Sequence, residues 1–174
     1  SGDDAVLKRM RRGYTVEDFR SMLKKIRHEV NDITLSTDII VGFPGETYED
    51  IKRSMALMTD VRPDILNITR FSPRPGTEAK AMRPMVSGGI RKQWSKELTE
   101  LRNKLGTEIN EGYIGMKANA LVTEHGYKGT FVTRLDNYKV VTVREKTGIK
   151  IGDWVVVQIT GATGMYAKGE IVKI

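Results

Sequence analysis

The apolar positions of this chain follow two different periods, and the change between them falls near residue 112. Before it, Phe19, Met22, Leu23, Ile26 and Val30 repeat at the spacing of one helix face, and Ile51, Met55 and Met58 do the same. Each stripe follows a threonine with an aspartate three positions on, Thr15 with Asp18 and Thr47 with Asp50, which is the signature of a reciprocal N-terminal cap. A shorter helix is expected ahead of them, capped by Asp3 or Asp4, running through Arg12 and ended by Gly13 in a left-handed conformation. Two runs of strand length, Thr34 to Val41 and Asp64 to Phe71, alternate with the helices, and the loop SPRPGT at 72–77 closes the second. From Ile90, the positions Trp94, Leu98, Leu101, Leu105 and Ile109 mark one long amphipathic helix, read as a connector. Met10, Met22, Met55 and Met58 fall at helical spacing and read as packing residues.

After Gly112 the pattern becomes short, alternating, β-branched stretches divided by Gly, Asn and Asp. Strands are predicted at Lys117 to Thr123, Thr130 to Leu135, Lys139 to Val143, Trp154 to Thr160 and Tyr166 to Val172. Five such strands in so short a segment predict a small barrel of the OB type, a shape that binds single-stranded nucleic acid. Phe131 and Trp154 are assigned to its core, because a small barrel needs large side chains inside. Helix and strand alternation before residue 112 predicts parallel strands with helices packed outside them. Two strands cannot close a sheet, so the fold expected is α/β: the C-terminal part of an incomplete βα barrel over 1–111, then a small all-β barrel over 112–174.

Composition narrows the chemistry. The 174 residues contain no cysteine, which excludes disulfides, thiolate nucleophiles and cysteine-ligated metal within them. With two histidines, His28 and His125, read as solvated bystanders, no metal site is expected. No apolar stretch approaches the ~20 residues of a membrane span, and SGDDAVLKRM lacks the apolar centre of a signal peptide, so a cytoplasmic location is expected. The net charge is +7, and residues 112–174 hold nine Lys or Arg against five Asp or Glu. The excess is concentrated in the shorter segment, which points to a polyanionic partner.

In parallel βα architectures, ligands meet the C-terminal ends of strands. Both special loops, Gly42 to Glu46 and Ser72 to Thr77, lie at such ends. Asp38, inside its strand, is expected to point into the barrel interior, either toward a bound cofactor or toward a partner such as Arg70 or Arg74. The turn GFPGET lacks the lysine and the span of a phosphate loop. On physics alone it is a rigid turn.

The stretch STDIIVGFPGET, with SPRPGT after it, VLKRMRRGYT before it and a basic β-rich tail, closely resembles the radical S-adenosylmethionine methylthiotransferases, whose tail is called the TRAM domain. The resemblance covers essentially the whole chain. It implies S-adenosylmethionine and two [4Fe–4S] clusters in the full-length enzyme, with the cluster cysteines outside these residues, so the chain alone is expected to be inactive. The segment Ser1-Gly2-Asp3 departs from the family's usual run by its aspartate. Carried over, Asp38, Gly42, Phe43, Pro44 and Gly45 resemble the wall that holds S-adenosylmethionine, with Phe71, Ser72 and Arg74 lining the same mouth. None is implied as a general acid or base.

Substrates within the family are adenosine 37 of tRNA, carrying an isopentenyl or a threonylcarbamoyl group, and an aspartate of a ribosomal protein. The basic tail favours RNA, since Lys and Arg neutralise phosphate, and RKQWSKEL at 91–98 is similar to the archaeal and eukaryotic threonylcarbamoyl branch. A non-catalytic RNA-binding protein is the rival of another class. The anticodon arm of tRNA is the partner implied, met through Lys117, Lys128, Arg134, Lys139, Arg144 and Lys168, with Tyr127, Phe131, Tyr138 and Tyr166 available for stacking. Self-association through the open edges of the partial barrel is expected as well.

Overall fold

A computed structural model describes residues 1–173, which form two compact units, 1–31 with 35–102 and 32–34 with 103–173. In the first, helix α1 (Asp4–Arg9) is capped by Asp3, whose carboxylate accepts from the Val6 amide at 2.9 Å. Helix α2 (Val16–Glu29) and helix α3 (Tyr48–Val61) both open on complete capping boxes, Thr15 with Asp18 and Thr47 with Asp50. Strands β1 (Ser36–Val41) and β2 (Ile65–Arg70) pair in parallel, with Asp38 opposite Asn67 and Val41 opposite Arg70. A short helix α4 (Glu78–Ala81) follows, then α5 (Gly88–Glu111), within which the division between the units falls.

Strand alternation decides what the sheet offers. Ile39 and Val41 are buried among Val6, Leu7, Ile51, Leu57, Met58 and Leu66, whereas Ser36 and Asp38 on the other face of β1 are exposed. Burying this aliphatic set contributes about 1.5–3 kcal/mol per large side chain. The opposite face, carrying Asp38, Asn67 and Thr69, stays uncovered and polar. Gly2 lies so close to α3 that a Cβ there would sit 2.5 Å from Ser54 Cα, and its amide donates to Ser54 Oγ at 2.8 Å.

The second unit is a closed five-stranded barrel of β3 (Lys117–His125), β4 (Thr130–Leu135), β5 (Val140–Arg144), β6 (Trp154–Ala162) and β7 (Ala167–Lys173). The order around it is β3-β4-β5-β7-β6, all pairs antiparallel except β5 with β7. That is the OB arrangement expected from the strand spacing. Ala120, Val122, Phe131, Val141, Val143, Val155, Val157 and Ile159 fill the interior.

Several sequence expectations are corrected. The first helix ends at Arg9, and Arg11 rather than Gly13 takes the left-handed conformation, with φ 56°. Met22 is exposed, whereas Met58 is buried as expected. Trp154 is 56% exposed. It opens a strand whose inward positions are Val155, Val157 and Ile159, so alternation sends the indole outward.

Candidate cofactor turn and nucleic-acid groove

The turn after β1 is held from inside by one carboxylate. Glu46 is buried, and its Oε2 accepts from the Gly42 amide at 2.5 Å and the Phe43 amide at 3.2 Å. Gly42 and Gly45 adopt φ of 78° and 76°, a conformation glycine takes without steric cost. A Cβ on Gly42 would lie 2.2 Å from Arg91 Cγ, and Arg91 in turn donates to the Phe71 carbonyl. Phe43 and Phe71 meet edge to face at 5.2 Å between ring centroids. The Gly45 amide donates to the Pro84 carbonyl at 2.8 Å, and Arg9 donates to the Gly45 carbonyl at 3.2 Å. Burial raises the pKa of Glu46 against the opposing pull of the two amides, and its Oε1 is buried without a hydrogen-bond partner.

Of the two partners expected for Asp38, a bound cofactor or an arginine such as Arg70 or Arg74, the arginine pairing is not made. Asp38 is exposed and accepts from Asn67 Nδ2 at 2.8 Å, because the parallel register sets the two side by side. The side of the sheet that carries it opens on a cleft lined by Leu7, Met10, Arg12, Tyr14, Ile40 and Thr69. Gly42, Phe43 and Pro44 are buried beneath the turn, while Ser72 and Arg74 are exposed on their loop. The structure therefore separates the eight residues into a polar strand face, a buried turn and an exposed loop. Glu46, Arg91 and Asn67 escaped the sequence reading. The acid four places after Gly42 was a usable signal for the first; the other two depend on tertiary neighbours.

On the barrel, a groove crosses the outer face of β4, β5 and β7 between the β3–β4 and β6–β7 loops. It is lined by Tyr127 and Tyr166 at the two loops, by Val132, Val140 and Thr142 on the strands, and by Arg144, Lys146 and Lys168. Strands two and three of an OB barrel with these two loops form the face on which oligonucleotides bind. Tyr127 is 80% exposed, with the Lys128 ammonium 5.1 Å from its ring centroid. Glu145 and Glu170 also line the groove, and the former is engaged by His125 Nδ1 at 2.8 Å.

Of the six cations expected to meet RNA, Arg144 and Lys168 are in the groove and Lys128 is on the loop beside Tyr127. Lys117 and Arg134 lie outside the groove's lining, and so does Tyr138, which is exposed. Lys139 is 4% exposed, with its ammonium 4.9 Å from the Tyr113 ring centroid, so it is corrected from a phosphate contact to an interior cation. Phe131 is buried in the barrel core, which withdraws it from stacking. Lys146, overlooked because it follows the strand, joins the groove.

Residues 1–58 match the family model described as the Radical SAM superfamily, and residues 111–172 match the TRAM domain model. A probable threonylcarbamoyladenosine tRNA methylthiotransferase of Archaeoglobus fulgidus is 40% identical over 98% of this chain and 39% of its own length. The protein of the same name from Pyrococcus abyssi is 41% identical over the same shares. A tRNA-2-methylthio-N(6)-dimethylallyladenosine synthase of Dictyoglomus thermophilum is 34% identical over 99% of the chain and 40% of its own length. The chain carries a radical SAM segment and a TRAM domain and is similar over nearly its whole length to tRNA methylthiotransferases. It spans about two fifths of the length of the curated relatives it matches.

The uncovered strand face fits part of a polar cofactor: the Asp38 carboxylate, the Asn67 amide and the Thr69 hydroxyl can pair with hydroxyl and amine groups, and Ile40 supplies an apolar contact. The chain has no thiolate with which to ligate a cluster, and among the described residues no cluster of His, Asp or Glu could hold a metal ion. No helix among them is long and apolar enough to cross a membrane.

Proposed function

We propose that this chain serves a tRNA methylthiotransferase that converts N6-threonylcarbamoyladenosine 37 to its 2-methylthio derivative in the cytoplasm. Residues 1–111 then contribute one side of the S-adenosylmethionine pocket and residues 112–174 the RNA-binding module. The groove carries this reading: two tyrosines and three cations converge on the face an OB barrel presents to an oligonucleotide. Relatives named for the threonylcarbamoyl product are 35–41% identical to the chain and those named for the dimethylallyl one 32–36%, which favours the former.

When bound, S-adenosylmethionine and its cluster supply the reactive species, while protein groups position and shield them. Asp38, with Asn67 fixing its orientation, offers an acceptor to the cofactor, and Glu46 holds the turn at the end of the same strand. Ser72 and Arg74 reach the ligand from the loop after β2. The two [4Fe–4S] clusters are held by residues other than these 174, so the chain by itself is inactive. The uncovered face of the two-stranded sheet promotes self-association of the isolated chain; a monomer by light scattering removes that element of the proposal.

Nucleoside mass spectrometry on tRNA from cells lacking the gene tests the assignment. The 2-methylthio derivative of threonylcarbamoyladenosine disappears and its unmodified precursor accumulates. Loss of the 2-methylthio dimethylallyl nucleoside instead transfers the protein to the other branch, and an unchanged tRNA profile overturns the enzymatic reading.

A further inference from the structure

The two lips of the barrel groove are built differently. The β3–β4 lip is a tight hairpin, with Lys128 and Gly129 both at positive φ and Thr130 Oγ1 donating to the Tyr127 carbonyl at 2.9 Å. Its tyrosine projects almost fully into solvent. The β6–β7 lip is braced instead. Thr163 Oγ1 donates to the Tyr166 carbonyl at 2.7 Å and accepts from the Tyr166 amide at 3.1 Å, while the Thr163 amide donates to the Tyr166 carbonyl at 3.0 Å. Tyr166 is half-buried.

The brace extends to the last turns of α5. Asn110 is 3% exposed, and its Nδ2 donates to the Thr163 carbonyl at 2.8 Å. One turn earlier, Gly106 meets Gly164 so closely that a Cβ on Gly106 would lie 2.0 Å from the Gly164 oxygen. A Cβ on Gly164 would in turn lie 2.7 Å from Asn103 Cα. Helix and loop touch backbone to backbone, a contact that only glycine on both sides permits. A buried amide side chain spent on one loop carbonyl marks that carbonyl's position as fixed.

We propose that Gly106 and Asn110 of α5 are positioning residues for RNA recognition, holding Tyr166 as a preformed stacking platform for one unpaired nucleotide. Tyr127 on the opposite lip is the adaptable partner. The inference rests on reading the groove as the RNA site. A platform already held in its bound conformation spares the ordering entropy that an exposed tyrosine must lose on binding. Stacking is tolerant of base identity, so the ligand is an unpaired strand, with the Arg144, Lys146 and Lys168 charges facing its phosphates.

The test uses the 174-residue chain and a fluorescein-labelled single-stranded oligouridine of about eight nucleotides, titrated across a range of salt concentrations. Tyr166→Ala is expected to weaken binding about fivefold or more through lost stacking. Asn110→Ala and Thr163→Val are expected to weaken it about threefold, the scale of one lost hydrogen bond. In both the salt slope stays at the wild-type value, because the phosphate contacts are intact. The deciding result is the double variant Tyr166→Ala with Asn110→Ala, expected to bind no more weakly than Tyr166→Ala alone. Full additivity, or wild-type binding by Asn110→Ala and Thr163→Val, overturns the positioning role. Thermal melts verify that the variants fold; if Asn110→Ala does not, Thr163→Val in the same cycle decides. A wild-type chain that binds no oligonucleotide, or whose affinity ignores Arg144→Glu, defeats the RNA reading itself and the inference with it.

Discussion

At the scale of single residues, Glu46 has most to reveal, because one buried oxygen serves two backbone amides while the other has no partner. Burial lifts its folded pKa above its ordinary value. In the unfolded chain it ionises at its ordinary value, so the folded state binds the extra proton between the two. Stability is therefore lost as pH rises through that window and is fully present below it. Glu46→Gln keeps an oxygen for the Gly42 and Phe43 amides and removes the buried charge. Its stability relative to wild type is expected to rise with pH through the interval between the unfolded and the raised folded pKa of Glu46, as read by urea denaturation at several pH values. A constant difference across that range would show that Glu46 titrates normally. Glu46→Ala strands both amides and is expected to cost about 2–3 kcal/mol at low pH, where the wild type keeps its full stability, and less as pH rises through the same window. Asp38 carries the opposite lesson. Its polarity inside a strand was legible, but its partner was not, since only the β1–β2 register sets Asn67 beside it.

The elements were the most legible part of the molecule where a local rule sufficed. Thr15 with Asp18 and Thr47 with Asp50 gave two helix starts to the residue, since a capping box is written within four positions. Thr47→Ala removes the oxygen that receives the Asp50 amide at 3.3 Å, and a loss of about 1 kcal/mol is expected. Thermal unfolding measures it, and an unchanged midpoint would show that Asp50 and its Arg53 partner hold the helix start unaided. Where two rules competed, sequence reasoning failed. Gly13 promised a left-handed stop, yet the backbone turned at Arg11, whose guanidinium pairs with Glu78 from α4. Trp154 was assigned to the core by size, and strand alternation overruled size. Lys139 was assigned to RNA by charge; Tyr113 and the burial around it decided otherwise. The barrel itself followed from turn signals and β-branched alternation, although no local pattern shows that β5 and β7 lie side by side in parallel.

For the whole molecule, composition points to a polyanionic partner and the fold gathers part of the positive charge into one groove. Residues 112–174 are net positive, but that charge is spread over nine Lys and Arg, of which the groove gathers Arg144, Lys146 and Lys168. If the groove tracks an RNA backbone, each cation that neutralises a phosphate adds about 0.7 to the slope of log affinity against log salt for a single strand, and about 0.9 for a duplex. Arg144→Glu with Lys168→Glu is therefore expected to flatten the tRNA-binding slope of the 174-residue chain by roughly 1.4 to 1.8. Arg134→Glu with Lys117→Glu changes net charge by the same amount outside the groove. It is expected to leave most of the slope in place, because neither side chain lines the groove and so neither replaces a counterion of the phosphates held there. The pair of double variants thus separates a located site from a diffuse basic surface. Equal flattening in both would mean that tRNA reads only the barrel's overall charge, and a slope lost in the Arg134 and Lys117 pair alone would move the site to the face of β3 and β4. Unequal flattening in the expected direction assigns the phosphates to the groove that Tyr127 and Tyr166 border, where an unpaired base can stack while its backbone is held.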